Sequence, residues 1–411
     1  MATVRPFKAV RPATEYVDKT ASLPYDVMNS AEAREYAKNK PYSFIRIDRA
    51  EINFPEGQDP YAQEVYEDAA RRLNSLIKQG VYIKDEKASY YIYRQIMNGR
   101  AQTGIVGCVS ADDYLSGVVK KHELTLAKKE DDRCNHVDFC NANTGPIFLT
   151  YRPDEKIRAV TSRVTESAPL YDFDFDDVRQ TVWAVYTDED IAAITDAFAK
   201  KEALYIADGH HRCASAVRIA RKRRVQNPDY TGEEEFNFFL SVIFPSDELE
   251  IMDYNRVVKD LNGLSEAEFI LAITKSFEIE KLPRRPEKIL KKHTFGMYLS
   301  GAWYKLTAKA GTFDGDVISK LDVSILQSNL LTPILGIGDP RTDRRIDFIG
   351  GIRGLAELER RADSDMKVAF AMCPTSLEEL MAIADEGKIM PPKSTWFEPK
   401  LLSGIFIHEL K

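Results

Sequence analysis

Five consecutive residues, Asp208-Gly209-His210-His211-Arg212, combine a carboxylate, two imidazoles and a guanidinium. An apolar run before them predicts a buried strand, and the apolar spacing after them predicts a helix. Because Asp-Gly is a common turn pair, we place the cluster at a strand-to-helix junction, where helix N–H groups and the helix dipole favour anions. Burying four polar side chains at a purely structural turn would cost free energy, so the cluster indicates a binding or catalytic site.

Two further clusters have both functional and structural explanations. Residues 120–133 are rich in charge, contain His122 and Glu123, and predict a helix whose charges either line a site or form an exposed, salt-bridged face. Residues 24–27, Pro-Tyr-Asp-Val, predict a turn, and such turns are mostly structural.

Two loops complete the set of candidates. The stretch 338–354 is rich in Gly and Arg and either approaches a phosphate or simply connects two elements, since it matches neither the Walker A nor the dinucleotide pattern. Residues 390–400 form a proline-rich segment, which we expect to fold back onto the protein. Its Lys-Ser-Thr sequence suits phosphate binding, and packing of Trp396 is the alternative explanation.

Bulk properties exclude several functional classes. The net charge of -7 in 411 residues argues against general nucleic-acid binding. The chain has no secretory signal pattern and no apolar stretch of roughly 20 residues, which predicts a cytoplasmic protein without a membrane partner. The cysteines are scattered and form no C-x-x-C pair, which predicts reduced thiols and disfavours zinc at 134–140.

The periodicity of apolar residues predicts an α/β fold with mixed sheets. Near residue 260 the sequence pattern changes, which suggests regions at 1–260 and 261–411. Asn98-Gly99 predicts a hairpin turn, and the strand at 236–244 is predicted beside Tyr205. Predicted strands are 43–47, 90–95, 103–109, 147–151, 181–186, 204–207, 236–244, 295–299, 303–306 and 367–372. Predicted helices are 30–38, 61–79, 120–132, 191–200, 266–277, 318–331, 355–362 and 376–386.

Five motifs stand out along the chain: Pro24-Tyr25-Asp26-Val27, Lys121-His122-Glu123, Ala207-Asp208-Gly209-His210-His211-Arg212, Asp253-Tyr254-Asn255-Arg256-Val257-Val258 and the segment 391–399. Together these motifs resemble a bacterial family of unknown function, domain of unknown function 1015, over residues 4–409. Many members of that family carry Tyr after the motif arginine, where this chain has Cys213.

The central Asp-Gly-His-x-Arg element also resembles the ParB/sulfiredoxin superfamily. That resemblance implies an α/β fold in which a Gly-His-x-Arg turn at a helix N-terminus holds nucleotide phosphates. Some members of the superfamily are free serine kinases, which phosphorylate L-serine with a nucleotide and Mg²⁺. The architecture implied is a ParB/sulfiredoxin-like core with a mixed sheet, plus a C-terminal α/β region that folds back on the first.

The superfamily resemblance also assigns roles to residues. Asp208 either accepts the proton of the attacking hydroxyl or holds Mg²⁺, and Glu123 either binds the substrate ammonium or acts as the base. The 85 positions between these two carboxylates exceed the gap in compact kinases, so the assignment of Glu123 depends on an insertion. The catalytic residues implied are Asp208, Glu123 and His210. The nucleotide-binding residues implied are Gly209, His211, Arg212 and His122.

The predicted function is an ATP- or ADP-dependent phosphotransferase that uses Mg²⁺ and phosphorylates a small free amino acid such as L-serine. The alternative is a non-catalytic nucleotide-binding regulatory or scaffold protein of the same superfamily. A sulfinic acid reductase of that superfamily would need a reactive cysteine inside the motif, where this chain has His210 and His211.

Overall fold

The computed structural model describes residues 1–289 and 291–411. These residues form two compact units, the first comprising 1–249 with 399–411 and the second comprising 250–398. The chain therefore leaves the first unit and returns to it for its C-terminal residues. Both units combine helices with a sheet, and the sheet of the first unit is mixed, which confirms the α/β prediction.

A large mixed sheet forms the centre of the first unit. All residues of Ile147–Tyr151 and Phe238–Pro245 are buried, as expected for central strands with both faces covered. In their order across the sheet, the strands are Val119–Lys120, Leu204–Asp208, Ile147–Tyr151, Phe238–Pro245, Arg100–Ser110, Tyr91–Met97, Val178–Ala184 and Tyr171–Phe175, with Val4–Arg5 paired to Arg100–Ser110.

The strand order corrects one prediction. The strand at 236–244 was expected beside Tyr205, but Ile147–Tyr151 lies between the two. It pairs antiparallel with Leu204–Asp208 and parallel with Phe238–Pro245. An apolar run indicates a buried strand without identifying its neighbour, because the connections between strands set the order and periodicity does not report them.

The hairpin prediction at Asn98-Gly99 is confirmed. Tyr91–Met97 and Arg100–Ser110 pair antiparallel down to the Met97–Arg100 pair. Asn98 and Gly99 have φ values of 51° and 78°. A two-residue turn of this hand matches the twist of the flanking strands and favours Asn-Gly.

The first unit also contains amphipathic helices that bury one face. Gln63–Lys78 buries Val65, Ala69 and Leu73, which lie one helical turn apart, as its periodicity predicted. No helix within the described residues is both long and apolar enough to cross a membrane. The α-helices of this unit are Val17–Thr20, Ser30–Ala37, Ile45–Asp48, Gln63–Lys78, Ala111–Leu115, Ala127–Cys140, Glu155–Val164, Asp188–Phe198 and His210–Gln226.

Two predicted elements were wrong. Residues 43–47 were expected as a strand but contribute to the helix Ile45–Asp48. The charged helix predicted at 120–132 begins only at Ala127, and Val119–Lys120 is a strand paired with Leu204 and Tyr205. His122 and Glu123 therefore lie in the connection between that strand and the helix.

The basic helix after the motif packs against Ala127–Cys140. Arg218 binds Asp131 at 2.8 Å, and Lys222 binds Asp138 at 2.6 Å. Several basic side chains of this helix therefore pair with acidic side chains of its neighbour.

The C-terminal residues are anchored in the first unit by hydrogen bonds far apart in sequence. Ser22 and Ser403 exchange backbone hydrogen bonds at 3.1 and 2.9 Å. The Tyr82 hydroxyl donates to the carbonyl of Gly404 at 2.8 Å, and His408–Glu409 pairs with Ala142–Asn143. These contacts fix the backbone on either side of the turn at Gly404.

The second unit contains an antiparallel sheet with helices. Its strands, in spatial order, are Phe277–Lys281, Ala302–Ala308, Thr294–Leu299, Val368–Ala371, Tyr254–Val258 and Ile346–Gly350, and Ile251–Met252 pairs separately with Trp396–Phe397. Its helices are Glu266–Ile273, Asp322–Leu326, which continues as a π-helical turn at Gln327–Leu331, Gly354–Ser364 and Leu377–Asp385.

Within the second unit, the motif around Arg256 holds the proline-rich segment. Arg256 is buried and its Nη2 donates to the carbonyl of Lys393 at 2.8 Å. The Trp396 ring packs edge-on against Tyr254, with centroids 4.9 Å apart. A Cβ on Gly350 would overlap the Trp396 ring, so glycine is required there. Packing of Trp396 therefore accounts for this part of the segment.

Asp322 is a buried carboxylate of the second unit with one oxygen unsatisfied. Its Oδ1 accepts the backbone N–H of His293 at 2.7 Å, whereas Oδ2 has no partner among the described residues. Burial raises the pKa of Asp322 to about 7, against a smaller lowering by the His293 N–H and Lys292. The folded chain therefore holds a proton that the unfolded chain releases between about pH 4 and pH 7.

We expect the free energy of unfolding of Asp322→Asn to increase relative to that of the parent protein as the pH rises. The free energy of unfolding of the parent falls through this window, by up to about 4 kcal/mol, because ionisation is disfavoured in the fold. Asn cannot ionise and still offers an oxygen to His293. Thermal unfolding at pH 4.5, 6 and 8 measures the difference in Tm, and a difference that does not grow with pH contradicts the buried-acid explanation.

Candidate active site

The strand Leu204–Asp208 ends in a sharp turn at Gly209, and the helix His210–Gln226 starts immediately after it. Gly209 has a φ of 92°, a left-handed conformation that glycine adopts without strain. A Cβ at this position would lie 3.1 Å from Nε and Nη2 of Arg212. The glycine therefore allows the turn and the close approach of the arginine.

The Arg212 side chain lies over the turn and also contacts the chain segment before the neighbouring strand. Its Nη1 donates to the carbonyl of Pro146 at 2.5 Å, just before the neighbouring strand Ile147–Tyr151. The guanidinium is only half-buried. This arrangement positions a planar cation at the start of the helix, where it can bind phosphate oxygens in pairs.

The helix that begins at His210 has no side-chain cap within the described part of the chain. Its first backbone N–H groups are therefore available, and the helix dipole adds partial positive charge at the same place. With seventeen residues, the helix is long enough for a full dipole. Its N-terminus and Arg212 together favour an anion beside Gly209.

Asp208 and Lys400 form an ion pair at the end of the strand. Lys400 Nζ lies 3.3 Å from Oδ2 of Asp208, and the Gly209 N–H donates to Oδ1 at 2.8 Å. Burial alone would raise the pKa of Asp208, but the positive charges of Lys400 and Arg212 outweigh it and bring that pKa to about 2. Asp208 is consequently ionised at neutral pH.

The backbone of Lys400 is itself held by the central sheet. Gln95 Nε2 donates to its carbonyl at 3.0 Å, and Gln95 belongs to a buried network with Gln102 and Gln180. Because these amides are buried and bonded to one another, they fix the position of the lysine backbone. The ammonium thus reaches Asp208 from an anchored segment.

His122 and His210 form a buried, uncharged pair. Their rings meet edge-to-face with centroids 4.5 Å apart. Burial lowers the pKa of His122 to about 4, and burial together with the neighbouring His122 lowers the pKa of His210 well below its usual range. Neither ring nitrogen of His122 has a hydrogen-bond partner among the described residues. The imidazoles of His122 and His210 are therefore both neutral and buried next to the turn.

The hydrogen bonds of His210 indicate its tautomer. Its Nε2 accepts the backbone N–H of His122 at 3.4 Å, which places the proton on Nδ1. Nδ1 lies 3.7 Å from Oε2 of Glu123, a carboxylate that is half-exposed. His210 therefore lies between the buried His122 and the solvent-accessible carboxylate of Glu123.

His211 points away from this pair. Its Nε2 accepts the backbone N–H of Leu126 at 3.0 Å. Burial, reinforced by the charge of Lys129, lowers the pKa of His211. Of the two adjacent histidines, His210 is therefore the one directed toward Glu123.

The residue types at the turn suit Mg²⁺ only together with a phosphate. Within the described part of the chain, no three His, Cys, Asp or Glu side chains converge to hold a metal ion. Magnesium is commonly held by one or two carboxylates plus substrate phosphates. Asp208 is the carboxylate that fits this role.

Comparison with known families decides the classification. The family described as "protein of unknown function (DUF1015)" matches residues 4–324. The chain belongs to the DUF1015 family. The match confirms the family resemblance over most of the chain, and it ends before the proline-rich segment, although we expected the resemblance to continue to residue 409.

No curated protein matches this DUF1015 chain significantly. Similar solved structures include a free serine kinase in complex with AMP, at 15% identity and a TM-score of 0.36, covering 72% of this chain and 86% of that one. A conserved hypothetical protein from Pyrococcus furiosus has 14% identity and a TM-score of 0.35, covering 74% and 94%. C-terminally truncated SbnI from Staphylococcus aureus has 10% identity and a TM-score of 0.39, covering 72% and 85%.

In this DUF1015 protein, the residues named from the sequence lie close together, although the His211 ring points away toward Leu126. Residues 208–212 form the turn, and His122 and Glu123 reach it from the neighbouring strand connection, through His210. Sequence reasoning missed Lys400 as a partner of Asp208. Its signal was indirect, because it ends the proline-rich segment that was expected to fold back.

Proposed function

We propose that the chain is a nucleotide-dependent phosphotransferase that phosphorylates the hydroxyl of a small free amino acid, with L-serine as the first candidate. The observation that carries the proposal is the charge arrangement at one helix N-terminus. Arg212, Lys400 and uncapped backbone N–H groups provide positive charge around the ionised Asp208. Phosphoryl transfer requires such positioning and charge neutralisation more than covalent chemistry.

In the proposed complex, the phosphates of ATP or ADP bind the helix N-terminus. Nε and Nη2 of Arg212 make no hydrogen bond with the described residues, and these two nitrogens would donate parallel hydrogen bonds to phosphate oxygens. Asp208 would hold Mg²⁺ through its carboxylate. When bound, this ion neutralises charge on the phosphate oxygens.

Glu123 and His210 are proposed to act on the hydroxyl of the acceptor amino acid. The substrate hydroxyl oxygen forms a bond to the terminal phosphorus, and the bond from that phosphorus to the bridging oxygen breaks. The nucleotide leaves with the electron pair, and the hydroxyl proton passes to Glu123. His210 Nδ1 lies 3.7 Å from Glu123, beyond hydrogen-bond distance, and would orient that carboxylate once the two approach in the substrate complex.

Asp208 is less suited to accept this proton. Lys400 and Arg212 hold its pKa at about 2, although burial opposes them. A carboxylate so acidic is a poor proton acceptor near neutral pH, because efficient general bases have pKa values close to the working pH. We therefore assign Asp208 to charge and metal binding, and the proton to Glu123.

We expect incubation with ATP or ADP, Mg²⁺ and a pool of amino acids to give a phosphorylated amino acid. The product is detected by mass spectrometry, and the same mixture without the protein is the control. Because the acceptor is proposed to be a hydroxyl, the product should come from L-serine, L-threonine or L-homoserine. Product from none of the amino acids contradicts the phosphotransferase proposal.

A nucleotide-binding protein without turnover is the second candidate. The Asp208–Lys400 ion pair favours it, because a carboxylate already paired with an ammonium is partly neutralised before any ligand arrives. In that case, ATP or ADP raises the Tm through binding to the folded state, while no phosphorylated product forms.

A further inference from the structure

Beside the turn, the first unit contains a cleft that adjoins the proposed phosphate site through Arg212. Its inner and outer parts share four lining residues, Tyr25, Asp48, Arg133 and His136, and Arg212 lines the inner part. The outer part has a volume of about 210 Å³. Pockets for drug-sized ligands usually hold about 300–1,000 Å³, so this cleft suits a smaller molecule.

The walls of the cleft carry buried charges of both signs. Asp48 and His136 are 5% and 3% exposed, and their Oδ1 and Nε2 atoms lie 3.5 Å apart. Arg133 is 8% exposed and binds Asp132 at 2.9 Å through Nε and Nη2. Because these charges already balance one another, a ligand with a large net charge would be repelled by one half of the lining.

Two hydrogen-bond donors of the cleft are unused. Arg133 Nη1 has no partner among the described residues, since Nε and Nη2 take Asp132. The Tyr25 hydroxyl likewise has none within the described part of the chain, and its ring lies under the Arg133 guanidinium at 4.0 Å. Burial raises the pKa of Tyr25, so the hydroxyl keeps its proton. Two neighbouring donors of this kind suit a carboxylate.

A carboxylate also lines the same cleft without a partner. Asp26 follows Tyr25, is exposed, and makes no hydrogen bond or ion pair with the described residues. It lies within electrostatic range of His211, at the start of the motif helix. Asp26 thus lines the outer part of the cleft, and its charge suits an ammonium.

We propose that this cleft binds the α-carboxylate and α-ammonium of the acceptor amino acid. The carboxylate meets Arg133 Nη1 and the Tyr25 hydroxyl, the ammonium meets Asp26, and the side-chain hydroxyl points toward Arg212. This assignment rests on the phosphotransferase function proposed above. It replaces Glu123 as the partner of the ammonium and leaves that residue free to accept the proton.

Calorimetric titration of the purified protein with L-serine, L-threonine and L-homoserine tests the cleft without requiring turnover. Tyr25→Phe and Asp26→Asn each change a group that has no hydrogen-bond partner among the described residues, so both variants should fold. We expect each to weaken amino-acid binding about ten-fold, as for loss of a hydrogen bond to a charged group, and to leave ADP binding within about two-fold. Tyr186→Phe, at a tyrosine 70% exposed, is the matched control.

Ethanolamine provides a second readout, because it has the hydroxyl and the ammonium of serine but no carboxylate. It should bind the parent protein more than about ten-fold more weakly than L-serine, and Tyr25→Phe should not weaken it further. The cleft assignment is wrong if both variants keep the parent affinity for the amino acid, or if they weaken ADP binding instead. It is also wrong if the parent protein binds none of the amino acids. If both variants form product with an unchanged KM for the amino acid, the cleft assignment is wrong but the phosphotransferase proposal stands. If both variants weaken amino-acid binding but the parent protein forms no product, only the phosphotransferase proposal is wrong.

Discussion

Replacing Asp208 by Asn is expected to lower the rate of phosphoryl transfer about 1,000-fold or more. Asn keeps the size of the side chain and an oxygen for the Gly209 N–H, but it removes the negative charge that Lys400 and Arg212 surround. Without that charge, the proposed Mg²⁺ would lose its protein carboxylate, and electrostatic contributions of this kind are among the largest in catalysis. Single-turnover rates at saturating ATP and amino acid measure the loss.

The fold should tolerate this change. Because the pKa of Asp208 is about 2 in the fold, loss of its charge should lower the free energy of unfolding at neutral pH by about 2–3 kcal/mol at most, which is less than the stability of a typical folded domain. Asp196→Asn, on an exposed helix position, is the matched control and should keep the parent rate. Parent-like activity in Asp208→Asn would remove the residue from the catalytic machinery.

Much of the proposed phosphate site could be predicted because it is local in sequence. The strand, the glycine turn and the helix start all lie within residues 204–212, and their geometry follows from turn chemistry and apolar spacing. The close approach of Arg212 to Gly209 is a consequence of one helical turn. Short-range patterns of this kind do not depend on how the remainder of the chain folds.

The partner of Asp208 could not be predicted in the same way. Lys400 lies 192 positions later and reaches the site because the C-terminal residues return to the first unit. No periodicity reports such a contact. The proline-rich sequence indicated a fixed backbone, but the lysine position depends on Gln95 and on the sheet beneath it.

The connection at 121–126 illustrates tertiary structure overriding local propensity. Its charges suggested a helix, yet Val119–Lys120 pairs with Leu204 and Tyr205, and the helix starts later. The strand pairing extends the central sheet and brings His122 against His210. Pairing with a distant strand therefore determined the local structure more strongly than the charge pattern did.

Tyr25 shows a different limit of sequence reasoning. Its turn was interpreted as mostly structural, and its backbone carbonyl does accept a hydrogen bond from Arg49 at 3.0 Å. The side chain nevertheless lines the cleft beside Arg212. A turn residue can thus serve both purposes, and only the three-dimensional arrangement separates them.

Replacing Arg212 by Ala is expected to weaken ADP binding about 100-fold. The guanidinium covers Gly209 and offers a planar pair of donors, and each charge-assisted hydrogen bond contributes about 1.5–3 kcal/mol. Arg212→Lys should recover only part of this affinity, since an ammonium cannot donate in two parallel directions. Calorimetric titration with ADP measures both variants.

Adenosine separates a phosphate contact from a general disturbance of the site. Because Arg212 is proposed to bind phosphate oxygens, Arg212→Ala should leave adenosine affinity within about two-fold while ADP affinity falls. Arg221→Ala, an exposed arginine on the same helix, controls for the loss of one positive charge near the helix. Equal losses for adenosine and ADP would mean that Arg212 shapes the pocket through Pro146 rather than holding phosphate, because its Nη1 bond to that carbonyl disappears in the same variant.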